Sequence, residues 1–384
     1  MSYVSLNPMI SPTCRLLALC ARAESHPAFN EELANQLRGF VNWHSLPAQA
    51  EIYGMAPLLW HHLRNARAQI PEETTRVLRG LYLRHRLNNQ IHTRVLLEMM
   101  EIFQKENIRP IVLKGLALAH TLYPDPALRP VSDLDLLFKQ NEVLPALRLL
   151  AEAGFEVEFP TSNRISKSIV ITAPLRDGIR VSIEAHHYDP KGRAPDGSYD
   201  DEFIGFDSTP VPVSLDEGIF YAPTPLETLL YLSRHLARHM LDVTAEHPLQ
   251  LKWVADILGL VERHAEEIDW AWLKRSHPDI IHRLEIFYSL TPLPERYANI
   301  IPIRKIPPLE DFNQYPKGWP QNKISHWKRV GFWRFLWHTF TPPSNWWLCL
   351  YYGIEERSAF WYGRVIYRMQ VLALMFWAVI DNQN

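Results

Sequence analysis

The chain has 384 residues, 47% of them hydrophobic and 21% charged, a profile that excludes wholesale disorder and is long enough for two domains. A net charge of −2 removes any dominant electrostatic pull toward nucleic acid or an anionic membrane, leaving room only for a local basic patch. Three cysteines (Cys14, Cys20, Cys349) without a CxxC pair exclude a disulfide framework and a cysteine zinc site, and they fit a reducing cytosol.

A cytoplasmic location is therefore expected. The N-terminal stretch lacks the basic start and long apolar run of a secretory signal. The longest oily run, MQVLALMFWAVI at 369–380, is about a dozen residues against the ~20 of a spanning helix, so it reads as a core helix and no integral membrane association is expected.

Residues 11–108 read as helices. The clearest spans 77–106, where Leu83, Leu87, Ile91, Val95, Leu96, Met99, Ile102 and Phe103 recur at helical spacing. Arg76, Arg79, Arg84, Arg86 and Arg94 on it form either a solvated face or an anion-binding surface. At Asn107 the period changes: 111–113 is a short strand ending in Lys114-Gly115, 116–123 a short helix, 131–138 a second strand, and 142–153 an amphipathic helix closed by Gly154. Further strands are predicted at 155–159, 168–172 and 179–186.

Helical periodicity returns at Pro225, with helices to about Leu241, from 249 to 264 and from Ile268. A Pro/Trp-rich wrap over 291–346 and a last helix from Tyr351 complete the chain. The predicted class is α/β (α+β), a small mixed sheet at 109–222 between a helical region at 1–108 and a C-terminal helical region at 223–384.

The chemistry-bearing stretch is LKGLALAHTLYPDPALRPVSDLDLLF at 113–138. Asp133 and Asp135 stand one residue apart in an apolar strand, so both carboxylates leave the same face. Like charges held this close repel unless a cation lies between them, and oxygen donors suit Mg²⁺ or Mn²⁺. Glu184 lies in another alternating strand and shares its face with Ser182 and His186. If the two strands are neighbours, three carboxylates converge, and such a cluster can hold two divalent ions for an in-line phosphoryl displacement. If they are not, the DxD pair is a chance pattern and Glu184 an ordinary exposed acid. Lys114-Gly115 sits where a strand turns into a helix: glycine lets backbone approach a ligand, helix-start N–H groups suit phosphate, and Lys114 can place a point charge on a β- or γ-phosphate.

The order glycine, apolar-Asp-apolar-Asp-apolar, distal strand acid resembles the nucleotidyltransferase superfamily typified by DNA polymerase β. With VSIEAHH, LSRHLARHM, LKWVADILGL and IDWAWL added, residues 91–273 more closely resemble the bacterial family of uncharacterised nucleotidyltransferases. The resemblance implies an enzyme that moves a nucleoside monophosphate from an NTP to an acceptor, which is a small molecule, peptide, protein side chain or RNA end. It implies that Asp133 and Asp135 bind Mg²⁺, that Glu184 completes the site, that Gly115 approaches the triphosphate, and that the C-terminal helices supply base and acceptor contacts. Lys114-Gly115 replaces the usual Gly-Gly or Gly-Ser, the gap to Asp133 is longer than usual, and Glu184 replaces the commoner Asp. A nucleotide- or partner-binding protein that keeps the fold without turnover is the alternative.

Around this core, Arg129 and Ser132 flank the acid pair, either touching phosphate or holding the loop. His186 either orients Glu184 or the acceptor, or is satisfied by a neighbour; His187 faces away. His235 and His239 lie one helical turn apart, with Leu236 where a zinc-protease helix needs Glu. His239 contacts substrate or packs. Lys252 and Asp256, at i,i+4, either pair with each other or join the site. No Walker A, GxGxxG, kinase signature or nucleophile triad is present. The basic–aromatic stretch 326–334 reads as packing ahead of a single-strand nucleic-acid surface, and a Trp-rich membrane anchor ranks last.

Overall fold

A computed structural model describes residues 12–159, 168–188, 209–241, 250–304, 331, 333, 340 and 345–373. The chain begins with α1 (Pro12–Leu19), α2 (Pro27–Leu37), α3 (Leu46–Ile52), α4 (Ala56–Asn65) and the long α5 (Glu72–Gln104). Proline occupies the first turn of α2, α3 and α4, where its missing N–H has no helical partner to lose. Glu72 and Glu73 favour the N-terminus of α5. Its other end closes on Asn107, at φ +55°, with Ile108 N–H donating to the Phe103 carbonyl at 3.1 Å.

The α/β segment follows as β1 (Ile111–Val112), α6 (Lys114–Leu122), β2 (Asp133–Lys139), α7 (Val143–Glu152), β3 (Glu156–Val157), β4 (Ser168–Thr172), β5 (Ser182–Tyr188), β6 (Val211–Leu215) and β7 (Gly218–Ala222). These strands form one mixed sheet in the order β3-β4-β5-β2-β1-β7-β6. β2 runs parallel to β5 and β1 parallel to β7, while the other pairings are antiparallel. After the sheet come α8 (Pro225–Leu241), α9 (Leu251–Arg263), α10 (Trp270–Ser276), α11 (Pro278–Leu290), α12 (Asn345–Tyr352) and α13 (Glu356–Trp361), which continues through a π-helical turn at 362–366.

Two apolar cores result. One sheet face, through Leu134, Leu136, Phe138, Ile169, Ile171 and Ile183, packs on Ile91, Val95, Met99 and Phe103 of α5 and on Val143, Leu147 and Leu150 of α7. Each such fully buried side chain contributes roughly 1.5–3 kcal/mol. The other core joins α1–α4 to α8, α9, α11 and α12, so the two helical regions share one interior, which reaches the sheet at Ile111 and Leu137. Arg22 ties them covertly to one another: it donates two bonds to Glu262 of α9 at 2.8 and 2.9 Å, and others to Thr291 Oγ1, Pro292 O and Glu24 O.

Several local expectations shift. The covered stripe on α5 is narrower than its apolar spacing predicts: Leu83 and Leu87 are exposed, whereas Asn89 and His92 are buried. Apolar spacing cannot say which side of a long helix is covered over its whole length. The strand expected at 155–159 shrinks to two residues, and that at 179–186 becomes Ser182–Tyr188, because Arg176 to Ile179 close a tight turn first. The β6–β7 hairpin has no counterpart among the predicted elements, and the helix predicted from Ile268 divides into α10 and α11 at His277–Pro278. The last helices start at Asn345 rather than Tyr351. Of the oily run at 369–380, Val371 is buried but Met369 and Leu372 are exposed, and 374–380 lie outside the described residues, as do most of the Trp-rich wrap and most of 326–334. Among the described residues no helix is long and apolar enough to cross a membrane.

Candidate active site

The loop that delivers β2 is held from two sides. From α5, Asn88 donates to the Val131 carbonyl at 2.7 Å, and buried Asn89 donates to the carbonyls of Pro126 and Arg129 at 2.7 and 2.8 Å. Asp125 caps the short turn at 126–128 through Ala127 N–H. Within the sheet, Leu113 N–H donates to the Asp135 carbonyl at 2.9 Å, which fixes the residue immediately before Lys114 against β2. Lys114 opens α6 and Gly115 interrupts it at φ +46°, ψ −110°, a conformation that side-chain-bearing residues resist. The position is set by that dihedral rather than by crowding, since a Cβ there would meet Asp133 O only at 3.7 Å.

The parallel β2–β5 register pairs Asp133 with Ser182 and Asp135 with Glu184, while β4 brings Thr172, Val170 and Ser168 alongside Ser182, Glu184 and His186. Period-two alternation therefore puts both aspartates, Glu184 and His186 on one face. Asp135 is 2% exposed at the bottom of this face, Asp133 and Glu184 are half-buried, and Ser132 is exposed. The neighbouring Val170, 42% exposed, leaves the β4 side open.

Three groups gather around Asp135. Lys114 Nζ and His186 Nε2 each lie 3.2 Å from its Oδ1, and His186 Nε2 is 3.5 Å from Glu184 Oε2. Asp135 Oδ2 is buried without a hydrogen-bond partner among the described residues. One ligand atom each from Asp135, Glu184 and His186 fall within 4.8 Å of one another, so these three could hold a metal ion. Asp133 stands at the rim, accepting a 2.8 Å bond from Ser132 Oγ.

The charges settle unequally. Burial alone would raise the Asp135 carboxyl, but Lys114 and His186 outweigh it and hold the group well below the usual carboxylate range. Glu184 is pushed up, first by burial and then by the charge of Asp135. Lys114 is raised because Asp135 and Asp133 overcome the opposing effect of burial. One cation among three carboxylates leaves the face short of positive charge. A buried carboxylate oxygen without a partner and an imidazole beside it are what a divalent ion would complete.

A second buried cluster lies behind the loop. Arg129, 4% exposed, donates from Nε and Nη2 to Asp256 of α9, closest at 2.8 Å, and from Nη1 to the Pro130 carbonyl. Tyr123 OH donates to Asp256 Oδ1 at 2.8 Å. Arg129 and Asp256 thus engage each other instead of facing the open side. Of the two alternatives for Lys252 and Asp256, pairing with each other is not what forms: Lys252 Nζ reaches the Pro130 carbonyl at 3.4 Å, because Arg129 already holds the carboxylate with two nitrogens. Burial and the Arg129 charge lower the Lys252 ammonium to about 7. His239 packs on Trp253, ring centres 4.8 Å apart, and buried His235 lies 5.3 Å from the same indole. Burial and Lys114 keep His235 well below the ordinary histidine value.

Sequence reasoning missed Asn88 and Asn89 as supports of the loop. The available signal was a polar pair inside an otherwise apolar helical stripe.

A family model described as an uncharacterised nucleotidyltransferase matches residues 40–291, about two thirds of the chain, including the whole sheet and both clusters. Two solved structures are similar. One is ANT(2")-Ia in complex with adenylyl-2"-tobramycin, at 11% identity and TM-score 0.31, covering 46% of this chain and 91% of that one. The other is an antigenic nucleotidyltransferase-like protein from Paracoccidioides brasiliensis, at 15% identity and TM-score 0.29, covering 52% and 89%. Both likenesses are remote. No curated protein matches the chain.

Proposed function

Because the chain belongs to the uncharacterised nucleotidyltransferase family, we propose that it moves a nucleoside monophosphate from an NTP to an acceptor, using the face that carries Asp133, Asp135 and Glu184. The observation that carries this reading is the β2–β5 register, which sets Asp135 beside Glu184 with His186 on the same face and an unpartnered oxygen on Asp135.

In this reading Asp135, Glu184 and His186 hold one divalent ion, and Asp133 contributes from the rim. A bound Mg²⁺ or Mn²⁺ would supply Lewis-acid stabilisation of negative charge on the phosphate oxygens. An acceptor nucleophile attacks the α-phosphorus, the bond to the β-phosphate oxygen breaks, and pyrophosphate leaves. Glu184, at the open side of the face, is placed to take the proton released by the acceptor. The start of α6 offers backbone N–H groups to the phosphates beyond Gly115. Arg129, Asp256 and Lys252 act from behind, keeping the loop into β2 in place.

The test is label transfer from each α-³²P NTP into lysate fractions with Mg²⁺ or Mn²⁺, alongside Asp133→Asn and Asp135→Asn. Transfer that needs both aspartates and the metal is expected. The Lys114–Asp135 ion pair favours a second reading, a nucleotide-binding protein without turnover. Metal-dependent NTP binding with no transfer in any fraction would select it.

A further inference from the structure

We infer that Lys114 is an exchangeable cation: its ammonium holds Asp135 in the nucleotide-free protein, gives up that place to the divalent ion, and moves onto the phosphates of the incoming NTP. The inference rests on the nucleotidyl-transfer reading above.

Lys114 Nζ lies 3.2 Å from Asp135 Oδ1, an oxygen that His186 Nε2 also approaches at 3.2 Å. The carboxylate therefore already faces one permanent positive charge and one imidazole on a single oxygen. A divalent ion on this carboxylate would stand beside the ammonium in a buried setting, where like charges repel strongly. The two cations compete for one partner.

The geometry allows the ammonium to leave without disturbing the site. Its backbone is pinned: Leu113 N–H bonds to the Asp135 carbonyl on one side, and Gly115 turns the chain at φ +46° on the other. The side chain retains 15% exposure, and its flexible four-carbon stem carries three rotatable donors. Asp133 and Glu184 both act on it electrostatically, so the whole acidic face attracts it, not Asp135 alone. Before metal arrives, Lys114 offsets part of the repulsion among the three carboxylates and keeps the face assembled. Once the ion supplies that charge, the ammonium is surplus at Asp135, and a triphosphate entering at the start of α6 brings new negative charge to meet it.

Lys114→Met separates the two halves, using full-length protein and two probes. Mn²⁺ affinity without nucleotide is read by electron paramagnetic resonance, and affinity for Mn²⁺-tripolyphosphate by calorimetry. The expected result is Mn²⁺ binding about tenfold tighter and tripolyphosphate binding about tenfold weaker than wild type, the scale of removing one adjacent charge. Lys114→Arg, which keeps the charge, is expected to stay near wild type for Mn²⁺ and also controls for folding. Unchanged or weaker Mn²⁺ binding in Lys114→Met would overturn the competition, as would equal tightening in Lys114→Arg. Unchanged tripolyphosphate binding would overturn the transfer to phosphate. A wild-type protein that binds neither probe would remove the nucleotidyl-transfer reading itself, whereas normal wild-type binding with no effect of Lys114→Met would remove only the exchange.

Discussion

Two buried ion pairs, separated by the loop that enters β2, differ in how fully they are answered. At Arg129–Asp256, the guanidinium meets both carboxylate oxygens and the Pro130 carbonyl, and Tyr123 adds a further bond to Asp256, which is fully buried. At Lys114–Asp135, one oxygen is crowded by two nitrogen groups and the other has no partner among the described residues, while Glu184 nearby stays half-open. The first arrangement is complete and carries structure. The second leaves a buried carboxylate oxygen unanswered beside the half-buried Glu184, which is how the two ion pairs differ.

The sharpest break between the two comes from removing one carboxylate of each. Asp135→Asn or Asp133→Asn should cut label transfer by about 10³-fold while the protein still unfolds in a single transition near the wild-type midpoint. Asp256→Ala should do the reverse, destabilising the fold by about 3–5 kcal/mol in denaturant titrations because Arg129 is left buried and unpaired. If Asp256→Ala kept its stability but lost metal binding, the distinction between the clusters would collapse.

Smaller effects sharpen it. His186→Ala should weaken Mn²⁺ binding about 10–100-fold, and Mg²⁺ binding less, because imidazole suits a transition ion better than Mg²⁺. Equal losses for both ions would place His186 outside the coordination sphere. Gly115→Ala should cost about 1–2 kcal/mol in stability, since the dihedral is unfavourable while the space is there.

The mildest test concerns Lys252. Its ammonium is lowered to about 7 in the folded protein against 10.5 when free, so between those values the unfolded chain holds a proton that the folded one does not. This group therefore makes stability rise as pH increases from about 7 toward 10.5, and its penalty is fully present below 7. Lys252→Met should flatten that slope in midpoints measured across the window. An unchanged slope would assign it to other groups.

Much of the candidate site's geometry could be read from the sequence because it rests on strand periodicity. Alternation alone says that Asp133 and Asp135 share a face and that Glu184 and His186 share another. That the two faces are one depends on β5 lying parallel beside β2, with Asp135 and His186 51 positions apart in sequence. Local spacing also suggested Lys252–Asp256, and a residue 127 positions away displaced it: Arg129 presents a planar fork that matches a carboxylate better than an ammonium does. Arg22–Glu262 was equally out of reach, being a contact between distant segments, and the polar pair Asn88–Asn89 stands out in its helical stripe without showing which loop it holds. The β6–β7 hairpin was missed because the alternation there is weak, with Val211 and Ile219 exposed.

By itself, then, the sequence determined the order of helical, mixed and helical regions, the carboxylates that share a strand face, and the resemblance that named the family. Those properties depend on neighbours along the chain, through backbone periodicity and the sterics of glycine and proline. Only the tertiary structure decided which strands lie side by side, which acid each buried cation takes, and which carboxylate oxygen is left without a partner. Such choices are made by desolvation, because groups that water would otherwise keep apart must find each other once the two cores close.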